Sequence, residues 1–84
     1  MVNNKKQIVV VEDDTALLPM ITYNLEKNGF SVREATNGED ALMLIKEQLP
    51  ALAIIDWMIP APTGIEVCKI LRRGKETISL PIII

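Results

Sequence analysis

Three acidic residues follow two short apolar runs and could together do metal chemistry. Glu12 and Asp13 follow the run 8–11, and Asp56 follows the run 52–55. If both runs are neighbouring parallel strands, the three carboxylates converge at one edge of a sheet. Like charges a few ångströms apart disfavour each other's ionisation and raise at least one pKa. A bound divalent cation would relieve that repulsion, so the trio predicts a cation site.

The types of these residues indicate which cation and which reaction to expect. The chain has no histidine and one cysteine, and carboxylate oxygens alone favour a hard ion. A site with few protein oxygens leaves room for bound water, which favours Mg2+ over Ca2+. We expect Asp13 to bind it directly, Glu12 directly or through water, and Asp56 through another oxygen. An ionised Asp56 beside such an ion could attack a phosphoryl group in line and form an aspartyl phosphate.

Composition sets limits on the class of protein. The 84 residues are 49% hydrophobic and 24% charged, which is typical of one small globular domain. A net charge of -2 with no basic run argues against electrostatic binding to nucleic acid or a membrane surface. Cys68 is a lone cysteine, and no stretch has the length of a signal peptide core or of a bilayer span. We therefore expect a cytoplasmic protein without a membrane partner.

Short β-branched runs alternate along the chain with longer stretches of helical spacing, which is typical of βαβ units. The predicted order is β-α-β-α-β-α-β, with strands at 7–11, 30–35, 52–55 and 80–84. The first, third and fourth runs are apolar on both faces, as in strands covered on both sides. The second run alternates apolar with polar residues and is predicted to be an edge strand.

The first predicted helix begins at Asp14 or Thr15, either of which could cap it, and ends at Asn28-Gly29. Pro19 lies near its start and should bend it only slightly, because at most one intrahelical hydrogen bond is lost. For Asp14 we favour this capping role over a place in the cation site.

Capping and helix-breaking residues also delimit the other two helices. The second is expected at about 38–48, with Asn37 as its cap and Pro50 after its end. The third begins with the capping box Thr63 to Glu66, in which two side chains accept hydrogen bonds from each other's backbone N–H groups. The apolar residues predicted to face the sheet are Leu18, Ile21, Leu25, Leu42, Ile45, Leu49, Val67, Cys68 and Leu71.

Right-handed crossovers place the first and second helices on opposite faces of the sheet if the chain steps out to strand two and back past strand one. The fold class predicted is therefore α/β, a doubly wound parallel sheet with strand order 2-1-3-4. In such sheets a ligand crevice opens at the carboxyl ends of the strands where the order reverses. Glu12, Asp13 and Asp56 are all expected at that point.

These residues resemble the receiver domains of two-component response regulators, which have a flavodoxin-like fold. The matching motifs are the run 10–14, VVEDD, at the end of strand one, and the run 56–60, DWMIP, followed by Gly64 after strand three. The resemblance implies that Asp56 is the phosphoacceptor and that Glu12 and Asp13 form the acidic pocket. It also implies that Met58 offers its backbone carbonyl, not its side chain, to Mg2+.

The resemblance further implies partners and an output. It is closest to the OmpR/PhoB class, on Trp57 and the run 64–68, and members of that class carry a winged-helix DNA-binding domain after the receiver. We expect phosphoryl transfer from a sensor histidine kinase, contact with DNA only through such an output domain, control of transcription, and receiver homodimers in the full-length protein. Any autophosphorylation or autodephosphorylation belongs to signalling, so the chain is not expected to be an enzyme.

The sequence departs from the family pattern at its end. Residues 1–84 are interpreted as a partial receiver that stops inside strand four, without the fifth strand and the last two helices. The Ser or Thr just past strand four and the Lys at the end of strand five, which the family uses at the phosphorylated site, are therefore missing from this chain. An apolar edge at residues 82–84 is expected to make it associate or be poorly soluble.

Two other functions compete with the phosphoacceptor. The missing Ser/Thr and Lys would suit an interaction module that binds without being phosphorylated. The acidic trio could instead serve a Mg2+-dependent phosphatase with an aspartyl nucleophile, although such enzymes need a second acid two residues after the nucleophile, where Met58 stands. We rank the phosphatase last.

The remaining notable residues have structural interpretations. Trp57 is predicted to pack on a neighbouring helix rather than stack on a ligand. Cys68 is predicted to be a small core residue. The basic end of the third helix is interpreted as solvated and favoured by the helix dipole, and a contact with a histidine kinase is the less favoured alternative. Its basic residues are Lys69, Arg72, Arg73 and Lys75. The residues Pro60 and Pro62 should rigidify their loop, with a cis bond open at either.

Overall fold

A computed structural model describes residues 5–84 as a four-stranded parallel sheet with three helices. The elements are β1 Gln7–Val11, α1 Leu17–Lys27, β2 Ser31–Ala35, α2 Gly38–Gln48, β3 Leu52–Ile55, α3 Gly64–Arg73 and β4 Ile82–Ile83. The strand order is β2-β1-β3-β4, with every pair parallel. The predicted doubly wound α/β fold and its strand order are confirmed.

Alternation along β1 divides the core between the two faces of the sheet. Val9 and Val11 belong to the larger cluster, which contains the buried residues of α2 and α3. Ile8 and Val10 point to the other face, where Leu18 of α1 is the buried helical partner. Side chains alternate in this way because the strand repeat is two residues. The prediction that α1 and α2 cover opposite faces is confirmed.

The start of α1 depends on a single carboxylate. Oδ1 of Asp14 accepts hydrogen bonds from the backbone N–H groups of Ala16 and Leu17, at 2.9 and 3.1 Å. Asp14 thus caps the turn that leads into α1, as predicted, although the N-cap residue of the helix itself is Ala16 and the helix begins at Leu17. The N–H of Leu18 donates to the carbonyl oxygen of Asp14 at 3.0 Å, and Pro19, which has no N–H, interrupts this ladder at the next residue, so it costs at most one hydrogen bond.

The predicted bounds of α2 are confirmed, but one residue of its apolar face is not where we expected it. Asn37 caps the helix by accepting a hydrogen bond from the N–H of Asp40 at 2.8 Å. Leu49 lies past the last turn in a left-handed conformation, with φ of 45°, and is exposed. Ala41 instead lies fully buried beside Ile45 on the face toward the sheet.

The capping box of α3 is confirmed, because the N–H of Thr63 donates to Glu66 Oε1 and the N–H of Glu66 donates to Thr63 Oγ1. Val67 and Leu71 are fully buried, as predicted. Cys68 is only half-buried and lies outside both core clusters, so its assignment to the core was wrong. It lies one position round the helix from Val67 and lines a surface groove with Ile65.

Arg72 has a structural role that its interpretation as a solvated basic residue did not include. Its Nη1 donates to the carbonyl oxygens of Ile78 and Leu80, at 3.1 and 2.7 Å. Nearby, the buried hydroxyl of Thr77 donates to the carbonyl oxygen of Leu71 at 2.6 Å. These side chains hold the connection between α3 and β4 against the end of the helix.

Two further features complete the fold. β4 contains only Ile82–Ile83, shorter than the predicted 80–84, although the N–H of Ala53 also donates to the carbonyl oxygen of Pro81 at 3.0 Å. The peptide bond before Pro62 is cis. Among residues 5–84 no helix is long and apolar enough to cross a lipid bilayer.

Candidate acidic site

The backbone hydrogen bonds of the sheet continue past its strand ends and place the acidic residues. Val11 and Ile55 are partners in the pairing of β1 with β3. The N–H of Asp56 donates to the carbonyl oxygen of Val11 at 2.9 Å, and the N–H of Glu12 donates to that of Ala35 at 3.0 Å. The backbone at both strand ends is therefore held by the ladder itself.

The three predicted residues do converge. Glu12, Asp13 and Asp56 each offer a carboxylate oxygen, and these oxygens lie within 4.8 Å of one another. The cluster stands at the carboxyl ends of β1 and β3, where the strand order reverses. The sheet topology therefore creates the geometry expected of a ligand crevice in this kind of fold.

Burial differs sharply among the three carboxylates. Glu12 is 8% exposed, whereas Asp56 is half-buried and Asp13 is exposed. Glu12 therefore forms the floor of the crevice and Asp13 its rim. A ligand approaching from solvent would meet Asp13 and Asp56 first.

Burial and crowding alter the ionisation of Glu12. Loss of water contact raises the pKa of its carboxyl group above the usual value, and a hydrogen bond with Asp56 and the charges of Asp56 and Asp13 raise it further. The N–H of Asp14 donates to Glu12 Oε2 at 3.1 Å and opposes this shift. A cation among the three carboxylates would favour the ionised form of Glu12.

The donor set fits a hard divalent ion. All three groups are carboxylates, and no histidine or thiolate is among them. Oxygen donors of this kind, few in number and open to solvent on one side, suit Mg2+, which keeps several bound waters. The residues present therefore fit the cation that the sequence predicts.

The loop after β3 holds Asp56 in place. Oδ1 of Asp56 accepts a hydrogen bond from the N–H of Met58 at 3.2 Å. Trp57 is 56% exposed, so its predicted packing on a neighbouring helix is not seen. The loop returns at Gly64, whose N–H donates to the carbonyl oxygen of Trp57 at 3.1 Å. A Cβ at Gly64 would lie 2.5 Å from the carbonyl oxygen of Asp56, so only glycine fits.

Comparison with known proteins identifies the class of this molecule. Residues 8–84 match the family model of the response regulator receiver domain. Since that match covers nearly all of the chain, the chain belongs to the response regulator receiver family. The predicted family is confirmed.

Similar curated proteins are transcriptional regulators of the OmpR/PhoB class. The chain is 48% identical over 77 residues to the phosphate regulon transcriptional regulatory protein PhoB of Rhizobium meliloti, covering 92% of the chain and 34% of that protein. It is 43% identical over 70 residues to the alkaline phosphatase synthesis transcriptional regulatory protein PhoP of Bacillus subtilis, covering 83% and 29%. The chain thus spans about a third of the length of these relatives.

Solved structures agree on the fold. The receiver domain of a Francisella response regulator is 33% identical, with a TM-score of 0.86 over 93% of this chain and 63% of that one. The chemotaxis response regulator CheY4 of Vibrio cholerae is 25% identical, with a TM-score of 0.90 over 94% and 66%. The chain therefore has the flavodoxin-like architecture of receivers and corresponds to about two thirds of such a domain.

Proposed function

We propose that this chain is the phosphoacceptor part of a receiver domain, in which Asp56 takes a phosphoryl group from the phosphohistidine of a sensor histidine kinase. The observation that carries the proposal is the convergence of three carboxylates at the reversal of strand order. Membership of the receiver family supports it. We propose that residues 1–84 are part of such a domain, because they match 63% and 66% of the two solved receivers.

In the proposed reaction a carboxylate oxygen of Asp56 attacks phosphorus. An oxygen–phosphorus bond forms as the phosphorus–nitrogen bond to the imidazole breaks, and the electron pair of that bond leaves with the imidazole nitrogen. The Met58 N–H orients the Asp56 carboxylate by donating to Oδ1. Asp56 is half-buried at the crevice mouth, where an incoming phosphoryl group can reach it.

Glu12, Asp13, Asp56 and the backbone carbonyl of Met58 would hold Mg2+. When bound, the ion supplies positive charge that neutralises the carboxylates and the phosphoryl oxygens. Asp13 lies at the exposed rim, where its carboxylate would most readily replace a water bound to the incoming ion. Glu12 lies at the floor and would bind the ion directly or through water. The proposed role of this acidic site is regulatory and not that of an enzyme acting on a free substrate.

The proposal extends to a longer cytoplasmic protein. The relatives whose names describe transcriptional regulation are about three times the length of the aligned segment. We propose that phosphorylation of Asp56 controls a winged-helix DNA-binding output domain and thereby transcription, with homodimers forming through receivers of the full-length protein. DNA contact would belong to the output domain, since this segment carries a net charge of -2.

The decisive experiment is chemical labelling with a small phosphodonor such as acetyl phosphate in the presence of Mg2+. We expect incorporation of one hydroxylamine-sensitive phosphate, as an acyl phosphate requires, and its loss in Asp56→Asn. Asp14→Asn is the matched control, since Asp14 caps α1 and should leave labelling intact. Label that persists in Asp56→Asn would contradict the assignment. No label in the unaltered chain would favour an interaction module that works without phosphorylation.

A further inference from the structure

The first residue of α2 has no room for a side chain, because the loop between β3 and α3 lies directly on it. A Cβ at Gly38 would lie 1.9 Å from the carbonyl oxygen of Pro62, 2.8 Å from its carbonyl carbon and 2.9 Å from its Cγ. Gly38 is buried, and its N–H donates to the carbonyl oxygen of Pro60 at 3.2 Å. The nearest atoms are backbone, so a Cβ would displace the loop or the helix by about 1 Å.

The helix itself does not require glycine at this position. Gly29 is the glycine with positive φ among residues 5–84, so Gly38 has a backbone conformation open to any residue. Asn37 already caps the helix. Alanine favours helix over glycine by about 1 kcal/mol, so local propensity favours alanine at position 38. The contact with the loop is what requires glycine there.

Met58 lies between two points at which this loop is held. On one side Trp57 accepts the hydrogen bond from the N–H of Gly64, and on the other Pro60 accepts the one from the N–H of Gly38. The side chain of Met58 is 74% exposed and contributes little packing. The backbone contacts, rather than the side chain, therefore determine where the carbonyl group of residue 58 lies.

We propose that Gly38 is a positioning residue for the backbone carbonyl of Met58 and thereby for Mg2+ at the acidic site. The inference rests on the proposed function, in which that carbonyl is a ligand. Gly38 touches neither the metal nor the phosphoryl group and acts through Pro60 and Pro62. The close approach of α2 to the loop makes the first turn of this helix part of the metal site's support.

The affinities for Mg2+ and Ca2+ should depend to different degrees on the position of the Met58 carbonyl. Mg2+ demands near-ideal octahedral geometry, whereas Ca2+ accepts longer and more irregular coordination. Moving one carbonyl by about 1 Å should therefore weaken Mg2+ binding more than Ca2+ binding. A general loss of stability would weaken both ions alike, so the ratio of the two affinities separates positioning from folding.

The test is Gly38→Ala in the purified chain, titrated with Mg2+ and with Ca2+ while following the fluorescence of Trp57, its only tryptophan. We expect the dissociation constant for Mg2+ to rise about tenfold, as altered supporting contacts typically do at metal sites. The constant for Ca2+ should rise about threefold or less. A ratio of the two constants that stays within about twofold of the unaltered chain would overturn the inference.

Gly74→Ala is the matched control. Its Cβ would lie 2.4 Å from Thr77 Oγ1, so it is also crowded, but it stands at the opposite end of α3 from Asp56. It should lower the melting temperature and leave the ratio unchanged. A ratio that shifts equally in Gly74→Ala would show that the ratio does not separate positioning from loss of stability, and would overturn the inference.

Two further variants keep the outcomes distinct. If the unaltered chain gives no saturable Mg2+ response, or Asp13→Asn keeps that response, the proposed function fails together with this inference. Binding that Asp13→Asn abolishes, with an unchanged ratio in Gly38→Ala, overturns this inference alone. If Gly38→Ala does not fold, Asn37→Ala takes its place, because it loosens the same turn without adding atoms. Asn37→Ala must shift the ratio in the same direction, and an unchanged ratio overturns the inference.

Discussion

At the scale of single residues, three carboxylates of similar chemistry have different environments. Glu12 is buried and hydrogen-bonded, whereas Asp13 is exposed. Desolvation first, and then Asp56 and Asp13, raise the pKa of Glu12 above 4.5. Without a cation this residue opposes folding at neutral pH, which is a cost typical of sites that are built for a ligand rather than for stability.

Glu12→Gln should therefore stabilise the metal-free chain at neutral pH. Because the pKa of Glu12 is raised on folding, its protonated form favours the folded state below about 4.5, and that stability is lost as pH rises through the raised pKa. Glu12→Gln should raise the melting temperature at pH 7, because the amide has no charge to desolvate or to repel Asp13 and Asp56. Thermal melts from pH 4.5 to 8 in a chelator would measure this, with a flatter pH dependence in the variant.

Glu26→Gln is the control for that measurement, because Glu26 is exposed on α1 away from the crevice. It should leave the melting temperature and its pH dependence nearly unchanged. A Glu12→Gln chain that melts below the unaltered one at pH 7 would contradict the account of Glu12 as a strained carboxylate.

At the scale of elements, the connection from α3 to β4 depends on side chains that reach across it. Arg72 donates to the carbonyl oxygens of Ile78 and Leu80, and Thr77 donates to that of Leu71. β4 contains two residues and could not order this connection by its ladder alone. The connection therefore owes its shape to hydrogen bonds from the end of α3.

Arg72→Met should destabilise the fold while keeping most of the aliphatic packing of the side chain. Arg72 is exposed, but one of its two hydrogen bonds is partly buried, and losing both should cost about 1 kcal/mol. Urea denaturation would measure it as a lower midpoint with an unchanged slope. Arg73→Met is the control, since Arg73 is the next residue on α3, is also exposed and should change the midpoint little. Equal effects of the two substitutions would contradict a specific role for Arg72.

At the scale of the whole molecule, the sheet has one polar edge and one apolar edge among the described residues. β2 forms one edge and exposes Arg33 and Glu34. β4 forms the other, with Ile83 and Ile84 each 55% exposed. An exposed apolar edge strand offers unpaired backbone groups to a second chain, whereas charged side chains on an edge oppose such pairing.

We expect the 84-residue chain to self-associate through β4 and Ile83→Lys to weaken that association. A lysine on the edge must be desolvated when another strand pairs there, so the dimer dissociation constant should rise about tenfold or more. Sedimentation velocity across a concentration series would measure it. Ile78→Lys, at another exposed isoleucine outside β4, is the control. A monodisperse monomer of the unaltered chain would rule out the association.

Much of this molecule follows from local patterns in its sequence. The capping box at Thr63 and Glu66 and the cap at Asp14 involve neighbours within three residues, so residue type and spacing suffice to predict them. The apolar runs predict the strands, and the polar alternation that assigns the second strand to an edge, together with right-handed crossovers, predicts their order. The convergence of the acidic trio follows from that order, because parallel strands end at the same edge.

Other features required the tertiary structure. That Glu12 is buried while Asp13 is exposed, that Cys68 lies outside the core, and that Arg72 holds a distant connection all depend on which surfaces meet after folding. The sequence by itself determined the strand order and the meeting of the carboxylates, since both follow from the polar and apolar patterns of the strands together with right-handed crossovers. Only the tertiary structure decided that position 38 must be glycine, because folding brings the loop that contains Met58 against the first residue of α2. The two segments are distant along the chain, and no periodic pattern in the sequence relates them.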